Sequence, residues 1–385
     1  MKTPAPLAPH YGGAALDSLL PSVAASLGSA SFPLRGHDTT GDPLLPARRA
    51  VVVLIDGMGY ELLHRRRGHA PFLRGLLPHA RVIDAGFPST TATSMGTFGT
   101  GRPPGSHGLL GYEVLIPGED RLLNELSWQD GPDPYAWQPG ATVFETLAGE
   151  GMSVTRVGPG EFDGSGLTNA ALRGGRYVAA RTLAERVDAG LAAVRADRRA
   201  LVYLYWGDLD KKGHVEGAGS WQWGDELSAI DRELARLVEQ VPSDTAVHIT
   251  ADHGMVDVPF DRRVDLADEA DLDAGIRHFG GEPRAPQLHC QPGAAADVKA
   301  AWSERFAGQA WVLDRQEAVA AGWFGPVAPT NLARIGDVLV AFYTDSAVVD
   351  RRRMRPTLLN LLGVHGSLTT QEVVIPWFTI PARSQ

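Results

Sequence analysis

At 385 residues the chain is long enough for roughly two to three domains of about 150 residues, or for one large α/β domain carrying insertions. Its 44% hydrophobic and 21% charged residues exclude wholesale disorder and a collagen-like repeat. Thirty-six Lys and Arg against 45 Asp and Glu leave a formal charge of -9, which argues against a broad basic face for a nucleic-acid polymer and requires a local positive feature for any anionic substrate.

Residues 1–48 are rich in Pro, Gly, Ala and Ser and are expected to form an N-terminal arm, with one helix inside 14–27 that Pro21 must begin or bend. Nothing at the N-terminus has the basic start, apolar stretch and cleavage site of a signal peptide, and no apolar run approaches the ~18 residues of a membrane span. The expectation is a cytoplasmic protein with no membrane partner; the pattern says nothing of oligomeric state.

From residue 50 short apolar runs alternate with helical periodicity. The runs 51–55, 81–86, 153–157, 200–206 and 245–250 read as buried strands. Thr142 with Glu145 and Thr182 with Glu185 have capping-box spacing, and Leu227, Ile230, Leu234, Leu237, Val238 and Val241 make one apolar helix face. This alternation predicts an α/β fold with a mostly parallel central sheet and helices on both faces. Residues 258–332 are polar and punctuated by Pro and Gly, and are expected to be a smaller inserted α+β cap. The catalytic domain would then comprise 49–257 and 333–385, with a strand at 337–343, a helix at 356–362 and a tail at 363–376.

The chemistry gathers at the ends of these strands. The first runs Val53-Leu54-Ile55-Asp56-Gly57, a carboxylate at the carboxyl end of a strand where open α/β sheets bind ligands. Taken alone, Asp56 reads as a helix cap or turn. A second strand ends Thr250-Ala251-Asp252-His253-Gly254, and a third is followed by Asp210 and His214, four residues apart. His365 lies between glycines in Gly363-Val364-His365-Gly366; by itself it is a turn histidine and gains weight from the others. A hydroxyl-rich run, Pro88-Ser89-Thr90-Thr91-Ala92-Thr93, enters a helix, where free N–H groups and the dipole favour an alkoxide or a phosphoryl group; the plainer reading is an N-cap. Three Asp, three His and a hydroxyl, with no thiolate beyond the lone Cys290, suit two divalent ions, zinc first and manganese as the alternative. Two such ions suit in-line phosphoryl displacement on a small-molecule phosphate ester.

In chain order these motifs resemble the alkaline phosphatase superfamily and, within it, the nucleotide pyrophosphatase/phosphodiesterase branch, from residue 51 to residue 367. The family's first metal aspartate matches Asp56, its Asp-x-x-x-His pair Asp210 and His214, its Asp-His-Gly Asp252, His253 and Gly254, and its late histidine His365. Thr100-Gly101 and the loop Pro104-Gly105-Ser106-His107-Gly108 set the register that puts the nucleophile at Thr91, with Thr90 as the fallback. The resemblance implies one ion on Asp56, Thr91, Asp252 and His253 and the other on Asp210, His214 and His365. It further implies a metal-dependent phosphoric ester hydrolase working through a phosphothreonine, most simply a phosphodiesterase or nucleotide pyrophosphatase. A phosphomonoesterase is the alternative, and a metal-binding non-catalytic homologue a third. The branch carries an asparagine twelve residues past the Thr of Thr-Gly, where this chain has Tyr112. Lys211 and Lys212 could touch a phosphate or be a solvated pair. A sulfatase would need Cys/Ser-x-Pro-x-Arg, and Cys290-Gln291-Pro292-Gly293-Ala294 lacks the arginine.

Overall fold

The structure, a computed structural model, describes residues 4–33 and 43–383; the expected arm therefore falls partly outside the described residues. A seven-stranded sheet runs through the molecule in the order Arg81–Asp84, Val374–Ile380, Thr245–Thr250, Arg49–Ile55, Ala200–Trp206, Ser153–Gly158, Arg176–Ala179. Val374–Ile380 runs antiparallel to both of its neighbours and the other strands share one direction. In Arg49–Ile55 every residue after the first is buried, as a parallel strand covered on both faces requires.

The cover on each face can be read from one strand. Tyr203 and Leu204 are consecutive and so point to opposite faces. The rings of Phe98 and Phe144 lie 5.2 and 5.7 Å from that of Tyr203, which places helices Thr91–Thr100 and Val143–Gly149 on one side. On the other, Gly190 of helix Leu183–Ala196 is so close that a Cβ would stand 3.0 Å from the Leu204 side chain. Both capping boxes are present, at Thr142 with Glu145 and Thr182 with Glu185. Helix Trp221–Gln240 buries Leu227, Ile230, Leu234 and Leu237.

Two expectations change. The first concerns the N-terminal stretch: a 3-10 turn at Leu16–Ser18 leads into helix Leu19–Ser26, with Pro21 in its first turn, where the missing N–H removes no helical bond. Leu16, Leu19, Leu20 and Val23 have no exposed surface, so this segment is part of the core. The second concerns the strand expected at 337–343. Val338–Phe342 pairs antiparallel with Ala285–Cys290 and Ala310–Asp314, and Ile276–Glu282 completes a separate four-stranded sheet. This smaller layer therefore draws chain from both sides of residue 332 and has its own core around Trp302, Phe306 and Phe342. The helix expected at 356–362 is the single turn Pro356–Leu359. Among the described residues no helix is long and apolar enough to cross a membrane.

One buried ion pair ties the smaller layer to the short helix Thr370–Val373 before the last strand. Arg284 Nε and Nη2 donate to the Glu372 carboxylate at 2.7 and 2.8 Å, with Arg284 1% and Glu372 0% exposed. The same guanidinium donates to the carbonyls of Phe342, Thr344 and Ser346, and Glu372 also accepts from the Ser367 amide and the Thr369 hydroxyl. Removing one partner strands the other in a dry interior. Arg284→Met is therefore expected to cost about 3–5 kcal/mol, read as a fall in the urea midpoint at unchanged slope. A loss below about 1 kcal/mol, the scale of an exposed pair, would mean that the pair does not hold this junction.

Candidate active site

The register of the parallel strands brings the candidate residues to one edge. Ile55 pairs with Trp206 and Leu54 with Thr250, so Asp56, the Gly207 turn and Ala251-Asp252 all emerge beside one another. Gly57 then turns at φ +72°, and a Cβ there would stand 3.0 Å from Asp210, which explains why the turn carries no side chain. Asp210 and His214 occupy successive turns of one face of helix Asp208–Glu216. Thr91 is the first residue of helix Thr91–Thr100, whose N-cap is Thr90.

His365 reaches the site by tertiary contact. Its Nδ1 meets the Ser89 carbonyl at 2.8 Å across 276 positions of chain. The Ser89 amide donates to the Gly366 carbonyl, and the Gly366 amide to the Ser89 hydroxyl. The hydroxyl-rich run and the late histidine are thus one knitted unit.

Two groups of potential ligand atoms result: Asp56, Asp252 and His253 in one, and Asp210, His214 and His365 in the other, the atoms of each lying within 4.8 Å of one another. His253 Nε2 stands 3.4 Å from Asp56 Oδ1 and 3.5 Å from Asp252 Oδ2; His214 Nε2 is 3.1 Å and His365 Nε2 3.9 Å from Asp210. The rings of His253 and His365 stack at 3.7 Å, so the groups adjoin. The Thr91 hydroxyl lies 3.5 Å from Asp56 Oδ2 and 3.3 Å from His253 Nε2.

Whether cations fit can be judged from the polar atoms. Asp56 Oδ1, Asp210 Oδ1 and Asp252 Oδ2 are buried without a hydrogen-bond partner. Each of the three histidines directs Nδ1 at a backbone carbonyl: Gly363 for His214, Gly254 for His253 and Ser89 for His365. A carbonyl only accepts, so the proton is on Nδ1 and the Nε2 lone pair faces the carboxylates, the arrangement of a metal ligand oriented from behind. Burial, reinforced by the charges of Asp252 and Asp210, raises Asp56 well above the usual carboxylate range. Burial acts on Asp210 in the same sense, but with no cation bound His214 is protonated on Nε2 as well, raised to about 9 by Asp210 against its own burial, and holds that carboxyl low; a bound cation would take the place of that proton. Three carboxylates crowded in a dry site, with oxygens unsatisfied, fit divalent cations.

A cavity of about 730 Å³ opens over these groups and is floored by Asp56, Thr91, Asp210, His214 and His365. Asp252 and His253 sit behind that floor with no exposed surface. Tyr112 and Lys211 line the cavity, and Lys212 does not.

Three further lining residues had no role in the sequence reading. The Tyr205 hydroxyl donates to Asp56 Oδ2 and so fixes that carboxylate. Glu282 enters from the smaller sheet, 7% exposed and with Oε1 unpartnered, and burial pushes it up to about 8. Arg156 lies within the buried strand Ser153–Gly158. The signal for Arg156 was present in Val154-Thr155-Arg156-Val157, where a guanidinium interrupts an apolar strand. Tyr205 and Glu282 gave none, because strand tyrosines and cap glutamates are ordinary.

A mostly parallel sheet covered on both faces, with paired carboxylate and imidazole groups at its carboxyl edge and a hydroxyl at a helix start, is the fold of the alkaline phosphatase superfamily. Within it, residues 50–368 match the profile of the type I phosphodiesterase / nucleotide pyrophosphatase family, and the chain belongs to that family. It is 24% identical over 254 residues to an uncharacterized pyrophosphatase/phosphodiesterase of Schizosaccharomyces pombe, a match covering 63% of this chain and 52%, about half, of that relative. Murine ectonucleotide pyrophosphatase/phosphodiesterase 5 shares the fold at TM-score 0.68 and 18% identity, over 85% of this chain and 87% of that one. An inactive threonine-to-alanine form of the murine protein was solved with AMP. Phosphonoacetate hydrolase of Sinorhizobium meliloti 1021, solved with phosphonoformate, superposes at TM-score 0.66 and 19% identity, over 88% of this chain and 91% of that one.

Proposed function

We propose that the protein hydrolyses phosphoric esters or phosphoanhydrides through a phosphothreonine on Thr91, with diesters or pyrophosphate-linked nucleotides as the preferred substrates. The observation that carries this reading is the Thr91 hydroxyl at the start of a ten-residue helix, 3.3 Å from His253 and 3.5 Å from Asp56. Asp56, Thr91, Asp252 and His253 would hold one divalent cation and Asp210, His214 and His365 a second, zinc by the donor set and manganese as the alternative. Such ions, when bound, supply Lewis acidity toward phosphoryl and hydroxyl oxygens.

The chain's own groups do the rest. The Thr91 oxygen attacks phosphorus as its proton is lost; the bond to the leaving alcohol or phosphate breaks, and water then cleaves the phosphothreonine and returns a proton to Thr91. Amides of the helix's first turn, unpaired within the helix, face the phosphoryl oxygens. The Nδ1 anchors hold the imidazoles, and the Tyr205 hydroxyl holds Asp56, so little reorganisation is needed as charge develops.

Charge supports the diester preference. Asp56, Glu113, Glu161, Asp210 and Glu282 line the cavity. Against them stand Arg156, Lys211, Arg353 and Arg355, of which Arg353 is already paired with Asp273 and Asp350. Two divalent cations would be offset by Asp56, Asp210, Asp252 and the Thr91 alkoxide, so little positive charge is left over for the additional negative charge that a monoester carries on phosphorus itself. The expected result is a higher kcat/KM for bis-p-nitrophenyl phosphate than for p-nitrophenyl phosphate on one preparation. A monoester preference of about tenfold or more, near 1.4 kcal/mol in transition-state binding, would reverse the assignment and point to Lys211 as the cation for the extra oxygen.

A further inference from the structure

Five arginines among the described residues are less than 9% exposed. Four have acceptors: Arg284 pairs with Glu372, Arg173 with Glu145, Arg186 donates to three backbone carbonyls and Arg334 to two. Arg156 is the exception. It is 8% exposed, its Nε and Nη1 are fully buried without a hydrogen-bond partner, and it enters no ion pair among the described residues. Its guanidinium lies over the ring of Tyr177, 5.4 Å from the centroid, which offers a π face and no acceptor oxygen in the guanidinium plane.

The position of this unpaired charge follows from the sheet. Arg156 is in register with Tyr203 on one side and Tyr177 on the other, and all three line the cavity. Residues in one row of a parallel sheet share a face, as do residues two apart on one strand. Tyr205, whose hydroxyl binds Asp56, is therefore on the same face as Arg156. It is one strand over and one pleat on, about 5 Å across the sheet and about 7 Å along it. Arg156 thus lines the same cavity as Thr91 but lies one strand beyond the strand of Tyr205, and belongs to neither group of ligand atoms.

We propose that Arg156 binds a second anionic group of the substrate, a carboxylate or phosphate on the arm away from the phosphorus that Thr91 attacks, and so determines specificity. This rests on the phosphoester reading above and narrows it to substrates with a second negative charge. A buried guanidinium without a partner is costly, and Nη2, which unlike Nε and Nη1 is not sealed from the cavity, is placed to donate to a carboxylate or phosphate oxygen. The second charge of such a diester lies away from phosphorus and is met by Arg156, so it asks for no surplus positive charge at the metal groups.

The test compares bis-p-nitrophenyl phosphate with p-nitrophenyl diesters whose other arm is 4-carboxyphenyl or 4-phosphophenyl, in the wild type, Arg156→Met and Arg156→Lys. The ratio of kcat/KM for an anionic-arm diester to that for the neutral one is expected to fall at least tenfold in Arg156→Met, chiefly through KM, and to recover in part in Arg156→Lys. The arm with the larger fall identifies the anion. In the metal-loaded Thr91→Ala protein, calorimetric Kd for the 4-carboxyphenyl or 4-phosphophenyl diester should weaken at least tenfold when Arg156→Met is added. An unchanged ratio, or equal losses on neutral and anionic arms, would overturn the proposal and leave Arg156 a packing residue against Tyr177. Absence of wild-type turnover of every diester would instead sink the phosphoester reading, and the binding measurement would still decide Arg156.

Discussion

Replacing Thr91 by alanine is expected to lower kcat/KM by at least about 10⁴-fold, the scale on which loss of a nucleophile is felt in covalent catalysis, with the fold and the metal content retained. Among the described residues the hydroxyl has hydrogen-bond partners in Asp56 and His253 alone, and the residue that caps the helix is Thr90. Its removal therefore costs the fold no more than about 1 kcal/mol, and Asp56, Asp252 and His253 remain to bind a cation. The paired control is Thr90→Ala. Thr90 is 4% exposed and also faces the cavity, but its side chain makes no capping bond. Should Thr90→Ala be inactive and Thr91→Ala active, the nucleophile is one residue earlier.

The second large effect concerns the cations. Protein purified without chelator is expected to carry about two equivalents of divalent metal, and chelation should abolish turnover and lower the melting temperature. A ligand that binds only the folded state, at a free concentration 1,000 times its Kd, stabilises by about 4 kcal/mol per site. The three orphaned carboxylate oxygens make that stabilisation specific to this site, because among the described residues no hydrogen-bond donor competes for them. Asp210→Ala should lose one equivalent and keep the other, since Asp56, Asp252 and His253 form a separate group. His365→Ala should follow Asp210→Ala despite its distance in sequence. One equivalent or none, with full activity after chelation, would end the two-cation mechanism, and normal kinetics in His365→Ala would remove the late histidine from it.

The central strands were legible because a strand buried on both faces is largely apolar: 51–55 and 200–206 are runs of aliphatic and aromatic residues, and 245–250 keeps Ala246, Val247 and Ile249 among two threonines and His248. Two of the flanking strands were not. Arg176–Ala179 is an edge strand with two exposed ends, so its sequence lacks an apolar run. Val374–Ile380 carries Pro376, which ordinarily demotes a strand; here it pairs opposite Val82 while its carbonyl accepts from the Thr250 hydroxyl. Val338–Phe342 was recognisable as a strand, but every residue in it is buried, and local pattern alone does not say which sheet buries it.

The candidate site divides along the same physical line. The sequence by itself determined which residues could carry the chemistry: Asp56, Asp252 and His253 directly after buried strands, Asp210 and His214 one helical turn apart, and Thr91 at a helix start. Each of those placements depends on local period and on where an apolar run stops. Only the tertiary structure decided that His365 hangs from the Ser89 carbonyl, that Tyr205 holds Asp56, that Glu282 arrives from the smaller sheet and that Arg156 stands unpaired in the same cavity. Those facts depend on strand register, on the face each side chain takes and on which acceptors are left over after packing, and these are settled by long-range pairing that no local pattern encodes.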